Sequence, residues 1–160
     1  MQLSQTIAPH LPLLRRFARA LAGSQSAGDA YVAATLQVLA EDPSLFDASL
    51  DPRVALYRTF VSMWNSVGLN LRTEFFDRGD TPVDRQLEQI TPLARQALGL
   101  SSVEGFSAEE TAELLNTTPS NVQALLDDAG REIAAQVATE VLIIEDEPMI
   151  AIDLEAIVEG

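Results

Sequence analysis

Residues 93–133 read LARQALGLSSVEGFSAEETAELLNTTPSNVQALLDDAGREI, and the reading of this stretch decides the fold. Ser107-Ala108-Glu109-Glu110 is a capping-box pattern, with Ser at the cap and Glu110 three residues on. The spacing predicts a helix over Ala108–Leu115 that stops at Asn116-Thr117-Thr118. Pro119 and Ser120 then open a second helix running to about Thr139. Ahead of the cap, Gly105 centres a turn in Val103-Glu104-Gly105-Phe106, and Pro92–Leu100 carries a further helical run. Two short helices joined by a turn of three or four residues make a helix-turn-helix, a common motif that fixes no function by itself.

Working outward toward the N-terminus, the pattern stays helical. Leu11, Leu14, Phe17, Ala18 and Leu21 fall at helical spacing, with Arg15, Arg16 and Arg19 opposite as a solvated face. Gly23 and Ser24 end that helix. A second spans about Ser26–Glu41, with Tyr31, Val32, Thr35, Leu36, Val38 and Leu39 as its buried stripe. Asp51-Pro52 opens a third, to about Leu71, that buries Val54, Tyr57, Phe60, Val61, Trp64 and Val67. Tyr57 and Trp64 read as core aromatics, and His10, the only histidine, as a surface residue. Residues 73–84 read as a linker, after which a short helix to about Leu87 begins the second unit.

Toward the C-terminus the character changes. Val141-Leu142-Ile143-Ile144 is a continuous apolar run of strand type, followed by Glu145-Asp146-Glu147-Pro148 and a helical pattern through Val158. A fully apolar strand entering a helix looks like the first βα unit of a parallel sheet. One strand cannot form a sheet, so the expectation is a domain begun and not completed within this chain. The fold class expected is all-α: two helical units over 1–72 and 85–140, the linker 73–84, and an incomplete βα start over 141–160.

Charge narrows the function classes. The chain carries a net charge of −14 with no lysine, and all ten basic residues are arginine. Residues 1–100 hold nine Arg against ten Asp and Glu, but residues 101–160 hold one Arg against fourteen. Binding a phosphate backbone relies on cations that displace condensed counterions, so the second half is poorly suited to nucleic acid. There is no cysteine for a disulfide or thiolate site. No apolar run reaches membrane-spanning length, and the arginines of the first helix sit inside its apolar stretch, unlike a secretory signal. A cytoplasmic protein without a membrane partner is expected.

Two segments resemble extracytoplasmic-function sigma factors. Leu11–Ser66 resembles region 2, which grips RNA polymerase and reads the −10 element, and Thr91–Ile133 resembles region 4, which reads the −35 element. The departures carry the function. Recognition helices of that family usually hold a Val-Lys-Ser-Arg-Leu-x-Arg type of sequence. Here the stretch is Val122-Gln123-Ala124-Leu125-Leu126-Asp127-Asp128. Leu125 stands where an Arg would face the groove, and Asp128 where another would meet a phosphate, so the helix offers an exposed Leu and two carboxylates where DNA needs donors. The polymerase-gripping pattern Asp-x-Val-Gln-Glu-Thr becomes Asp29-Ala30-Tyr31-Val32-Ala33-Ala34-Thr35, with alanines for the polar pair. The helix that would read melted promoter, Leu56–Asn65, is poor in basic residues.

Val141–Gly160 resembles the opening of response-regulator receiver domains. That resemblance makes Glu145 and Asp146 the acidic pair for Mg²⁺, an incomplete site here, with the phospho-accepting Asp on a later strand absent from this chain. A sigma-like domain followed by a receiver resembles the PhyR-type general stress response regulators of alphaproteobacteria. The resemblance implies an anti-anti-sigma factor, a sigma mimic that captures a NepR-like anti-sigma factor when a histidine kinase has the receiver phosphorylated. It implies three partners: the anti-sigma factor, the protein's own receiver and the kinase. Amphipathic helices of the anti-sigma factor would enter a groove between the two helical units. Leu125, with Val122 and Leu115, would supply apolar contact, and Asp127, Asp128, Glu109 and Glu113 would pair with partner cations. The alternative is a working DNA-binding sigma factor or helix-turn-helix regulator, against which Leu125, Asp127, Asp128 and the missing lysines stand. An enzyme is not expected, because no nucleophile, phosphate loop or His/Asp constellation is present.

Overall fold

Leu14, Phe17, Ala18, Leu21 and Ala22 share one face of helix α2 (Leu11–Ala22), and all five are buried. The computed structural model describes residues 3–71 and 92–137, with side chains over 3–66 and 92–136. These residues form helices joined by short turns, with no strand among them. The strand expected at Val141–Ile144 and the short helix expected to end near Leu87 lie outside the described residues. Among the described residues no helix is long and apolar enough to cross a membrane.

The N-terminal unit opens with α1 (Leu3–Ile7) and a 3₁₀ turn (Ala8–His10) leading into α2. Gly23 closes α2 in the left-handed conformation (φ 71°), which glycine adopts without a side-chain penalty. The Ser24 hydroxyl then accepts from the Ala27 N–H and caps α3 (Gln25–Glu41), so α2 and α3 form a hairpin on a two-residue link. Its closest point is Gly28, where an added Cβ would fall 2.6 Å from the Arg19 Cα. Asp42 caps a second 3₁₀ turn (Pro43–Leu45). Asp51 accepts from the Arg53 N–H at the start of α4 (Pro52–Leu71), where proline occupies the first helical position.

The second unit contains α5 (Pro92–Leu98), a π turn (Gly99–Val103), α6 (Ala108–Leu114) and α7 (Pro119–Val137). The capping box forms as expected: Ser107 Oγ accepts from the Glu110 N–H at 3.1 Å, and Glu110 Oε2 from the Ser107 N–H at 2.8 Å. Helix α6 ends at Asn116, in the left-handed region (φ 51°), with the Thr117 N–H reaching back to the Ala112 carbonyl.

The units share one core. Leu14, Phe17, Tyr57, Phe60 and Val61 of the first pack in a single buried cluster with Ala97, Leu100, Phe106, Leu114 and Leu115 of the second. The Phe17 ring lies over Gly99, whose missing Cβ would sit 2.7 Å from it. Tyr57 and Phe106 meet edge to face at 5.0 Å. The junction of the units, where a groove was expected, is filled by packed side chains at these positions. Tyr57 is fully buried, whereas Trp64 is half-buried, resting on Tyr31 at 4.4 Å and on Phe60.

Candidate partner-binding surface

Helix α7 occupies the recognition-helix position, and its faces are sharply divided. Val122 and Ala129 are fully buried, while Ser120, Asn121, Gln123, Ala124, Asp127, Gly130 and Arg131 are exposed. The outward face carries one cation, Arg131, and its guanidinium is paired with Asp128. Asp127 accepts from Gln123 Nε2 at 3.0 Å. This face therefore presents small and amide side chains around two carboxylates.

The residues expected to bind a partner separate into two groups. Leu115 and Val122 are buried and serve as core in this arrangement. Leu125 does not stand exposed as the sequence reading has it. It is half-buried, packed against the main core and against the small cluster that α5 and α7 form through Ala94, Leu98, Ala129 and Ile133. The neighbouring helix α5 covers the position that DNA would meet in a free recognition helix. Asp127, Asp128, Glu109 and Glu113 do reach solvent. Glu113 pairs with Arg58 of α4 at 3.2 Å, and Arg58 also meets Asp47 at 3.6 Å. Glu145 and Asp146 lie outside the described residues.

The first-unit arginines are not a simple solvated face. Arg19 and Arg15 both grip Asp29 of α3, Arg19 with contacts of 2.9 and 2.7 Å. Their hydrogen bonds, Arg19 first, hold the Asp29 carboxyl down to about 2. Arg16 and Arg53 converge on Glu104, Arg58 serves Asp47 and Glu113, and Arg95 donates to the Leu21 carbonyl. Every arginine among the described residues is thus engaged by an acceptor of the protein itself.

Sequence reasoning passed over two features. The first is Glu104, read only as part of a turn. Its side chain is wholly buried, and it accepts from Arg16 at 2.8 Å and from the Tyr57 hydroxyl at 2.9 Å. Burial, and then the Glu104 hydrogen bond, pushes the Tyr57 hydroxyl far above the ordinary tyrosine range. The available signal was a lone Glu placed between the apolar Val103 and Phe106. The second is a cleft of about 660 Å³ between α3 and α4, floored by Val38, Leu45, Ala55 and Met63 and edged by Asp47 and Arg58. Leu45 is 51% exposed there.

Residues 7–61 match the family model described as the Sigma2 domain of PhyR, and residues 87–136 that described as Response regulator PhyR, sigma-like domain. The chain belongs to the PhyR family. It is 52% identical over all of its 160 residues to the phyllosphere-induced regulator PhyR of Methylorubrum extorquens, of which it spans 60%. Among solved structures it resembles the anti-anti-sigma factor PhyR of Bartonella quintana, complexed with the anti-sigma factor NepR (TM-score 0.80, 42% identity, 99% of this chain and 60% of that one). It also resembles the PhyRSL–NepR complex of Sphingomonas sp. Fr1 (TM-score 0.73, 39% identity, 92% of this chain and 97% of that one). The chain thus spans about three-fifths of the longer PhyR relatives and nearly all of the sigma-like portion alone. PhyR membership accounts for the all-α architecture and for a sigma-like fold whose α7 lacks DNA-facing cations.

Proposed function

We propose that this chain is a sigma-mimicking module that captures a NepR-like anti-sigma factor and so frees the general stress sigma factor. One observation carries the reading: the recognition-helix position is kept, but its outward cation is tied to Asp128 and its remaining charge is negative. A decoy must keep the surface an anti-sigma factor recognises while losing the surfaces that would occupy promoters. The pairing of each described arginine with an acceptor of the protein itself supports the same reading, because the partnering carboxylates offset the positive charge that a phosphate contact needs. The complexes of PhyR relatives with NepR support the choice of partner.

The exposed carboxylates Glu109, Glu113 and Asp127, with the half-buried Asp128, supply a field that steers a cationic partner. In the longer protein, phosphorylation of the receiver by a histidine kinase would release the module. Glu145 and Asp146 would then serve the receiver's Mg²⁺ site. The rival reading, a DNA-binding sigma factor, requires several cations on α7, whereas its described residues hold only Arg131, paired with Asp128.

The test is calorimetry of the chain against a purified NepR-like anti-sigma factor, with promoter duplex as the control. The expected result is 1:1 protein binding and no heat with DNA at low salt. DNA binding that weakens steeply with salt, without protein binding, would establish the rival.

A further inference from the structure

Glu104 is the one acidic side chain among the described residues that is wholly out of water. Its partners all come from the other helical unit, between 47 and 88 residues earlier in the chain. Arg16 of α2 donates through Nη2 at 2.8 Å and Nε at 3.3 Å to Oε1. Oε2 receives the Tyr57 hydroxyl at 2.9 Å and lies 3.4 Å from Arg53 Nη2, both from α4. The same Arg53 also donates to the Glu104 backbone carbonyl, and its guanidinium lies 4.2 Å from the Phe106 ring centroid. Side chain and backbone of one residue are thereby held together.

The local backbone is bent to deliver this group. The Glu104 N–H closes a five-residue π turn on the Gly99 carbonyl at 2.9 Å, and Gly105 follows at φ 75°, a conformation that favours glycine. Without the extra residue of the π turn, Glu104 would point elsewhere on the helix. The apolar contacts at the junction hold the units together but are non-directional. Two guanidiniums and a hydroxyl converge on one buried carboxylate only in a single relative placement of the units.

We propose that Glu104 is a positioning residue that locks the angle between the two helical units. An anti-sigma factor then meets one preset surface and not two separately moving ones. The consequence for the partner rests on the function proposed above, whereas the lock does not. A preset arrangement spares the partner the cost of ordering the units, and its loss weakens binding without removing a contact.

The absence of cysteine permits a direct test. Nitroxide labels at Ala34→Cys on α3 and Ala124→Cys on α7, both exposed, report the distance between the units by double electron–electron resonance. The parent should give one narrow distribution. Glu104→Gln, and Arg16→Gln at its half-exposed partner, should each shift and broaden it with helicity retained. Arg15→Gln, whose bonds to Asp29 stay within the first unit, should leave it unchanged. Distributions for Glu104→Gln and Arg16→Gln that overlay the parent would overturn the lock, as would an equal shift in Arg15→Gln. With the distances moved, affinity for a NepR-like protein should fall roughly tenfold. Unchanged affinity would overturn the partner half, and no binding by the parent would instead sink the proposed function.

Discussion

Gly28 and Arg19 touch backbone to backbone: a Cβ built on Gly28 falls 2.6 Å from both the Cα and the N of Arg19. This contact sets the spacing of the α2–α3 hairpin, and with it the reach of Arg15 and Arg19 to Asp29, the very next residue of α3. An alanine at Gly28 gains about 1 kcal/mol of helix propensity. It also forces the helices apart, and overpacking of this kind costs about 1–3 kcal/mol or more. The clashing atoms are backbone and cannot rotate away, so the loss wins. Gly28→Ala should lower the Tm by roughly 5 °C or more, read by thermal unfolding followed by circular dichroism.

Leu125 rests on both apolar clusters, and its substitution should act on stability before it acts on binding. Leu125→Ala removes a half-buried side chain and should cost about 1–2 kcal/mol, below the range for a fully buried leucine. Leu125→Arg should cost more, since the guanidinium must leave the α5–α7 seam or be desolvated in it. Neither should bind promoter DNA, because Asp127 and Asp128 remain on the outer face. Denaturant midpoints and fluorescence anisotropy with a labelled duplex separate the two effects.

Asp127 offers the cleaner probe of recognition, as it is exposed and accepts only from Gln123 of its own helix among the described residues. Asp127→Lys should change stability by about 0.5 kcal/mol or less. If a cationic anti-sigma factor docks here, its association rate should fall severalfold at low salt, and the difference should shrink as salt is raised. Stopped-flow association at two ionic strengths reads this directly; equal rates at low salt would remove α7 from the interface.

What was legible in the sequence was local. The capping box at Ser107 and Glu110 forms because both partners lie within one turn, and the apolar stripe of α2 is buried as its spacing requires. The Glu104 cluster was not legible, because its donors lie 47 to 88 residues away and meet it through a π turn with no strong sequence signature. Leu125 was misread for a related reason. Helical spacing fixes its angle to Val122 but says nothing of α5, which covers it. The arginines of α2 likewise read as a solvated face, since only tertiary structure brings Asp29 and Glu104 to them.

Asp29 makes the module sensitive to acid. Arg19 and Arg15 hold its folded carboxyl down to about 2, against about 3.9 for an unfolded aspartate. A lowered folded value means stability that is present in full above the unfolded value and is lost as the pH falls toward the folded one. Wild type should therefore exceed Asp29→Asn by a constant margin above about pH 5, and the margin should close between about pH 4 and 2. Urea midpoints of both proteins across that range measure it; a margin independent of pH would show that the ion pair contributes nothing to folding.

Tyr57 predicts the opposite limb. Burial, reinforced by the hydrogen bond to Glu104, raises its hydroxyl above the range in which an unfolded tyrosine ionises, about pH 10. Below that pH both states are neutral and the contribution is whole. Above it the unfolded chain releases a proton that the folded chain keeps, so folding loses about 1.4 kcal/mol per pH unit from this group. Tyr57→Phe removes the term along with the hydrogen bond. The stability difference between wild type and the variant should therefore be steady near pH 8 and shrink as the pH passes about 10. Tyrosinate absorbance supplies the second check. One of the two tyrosines should fail to ionise until the protein unfolds, and in Tyr57→Phe that delayed fraction should be gone. Ionisation of Tyr57 in the folded protein near the ordinary value would mean that water reaches the Glu104 cluster, and that the junction between the units opens.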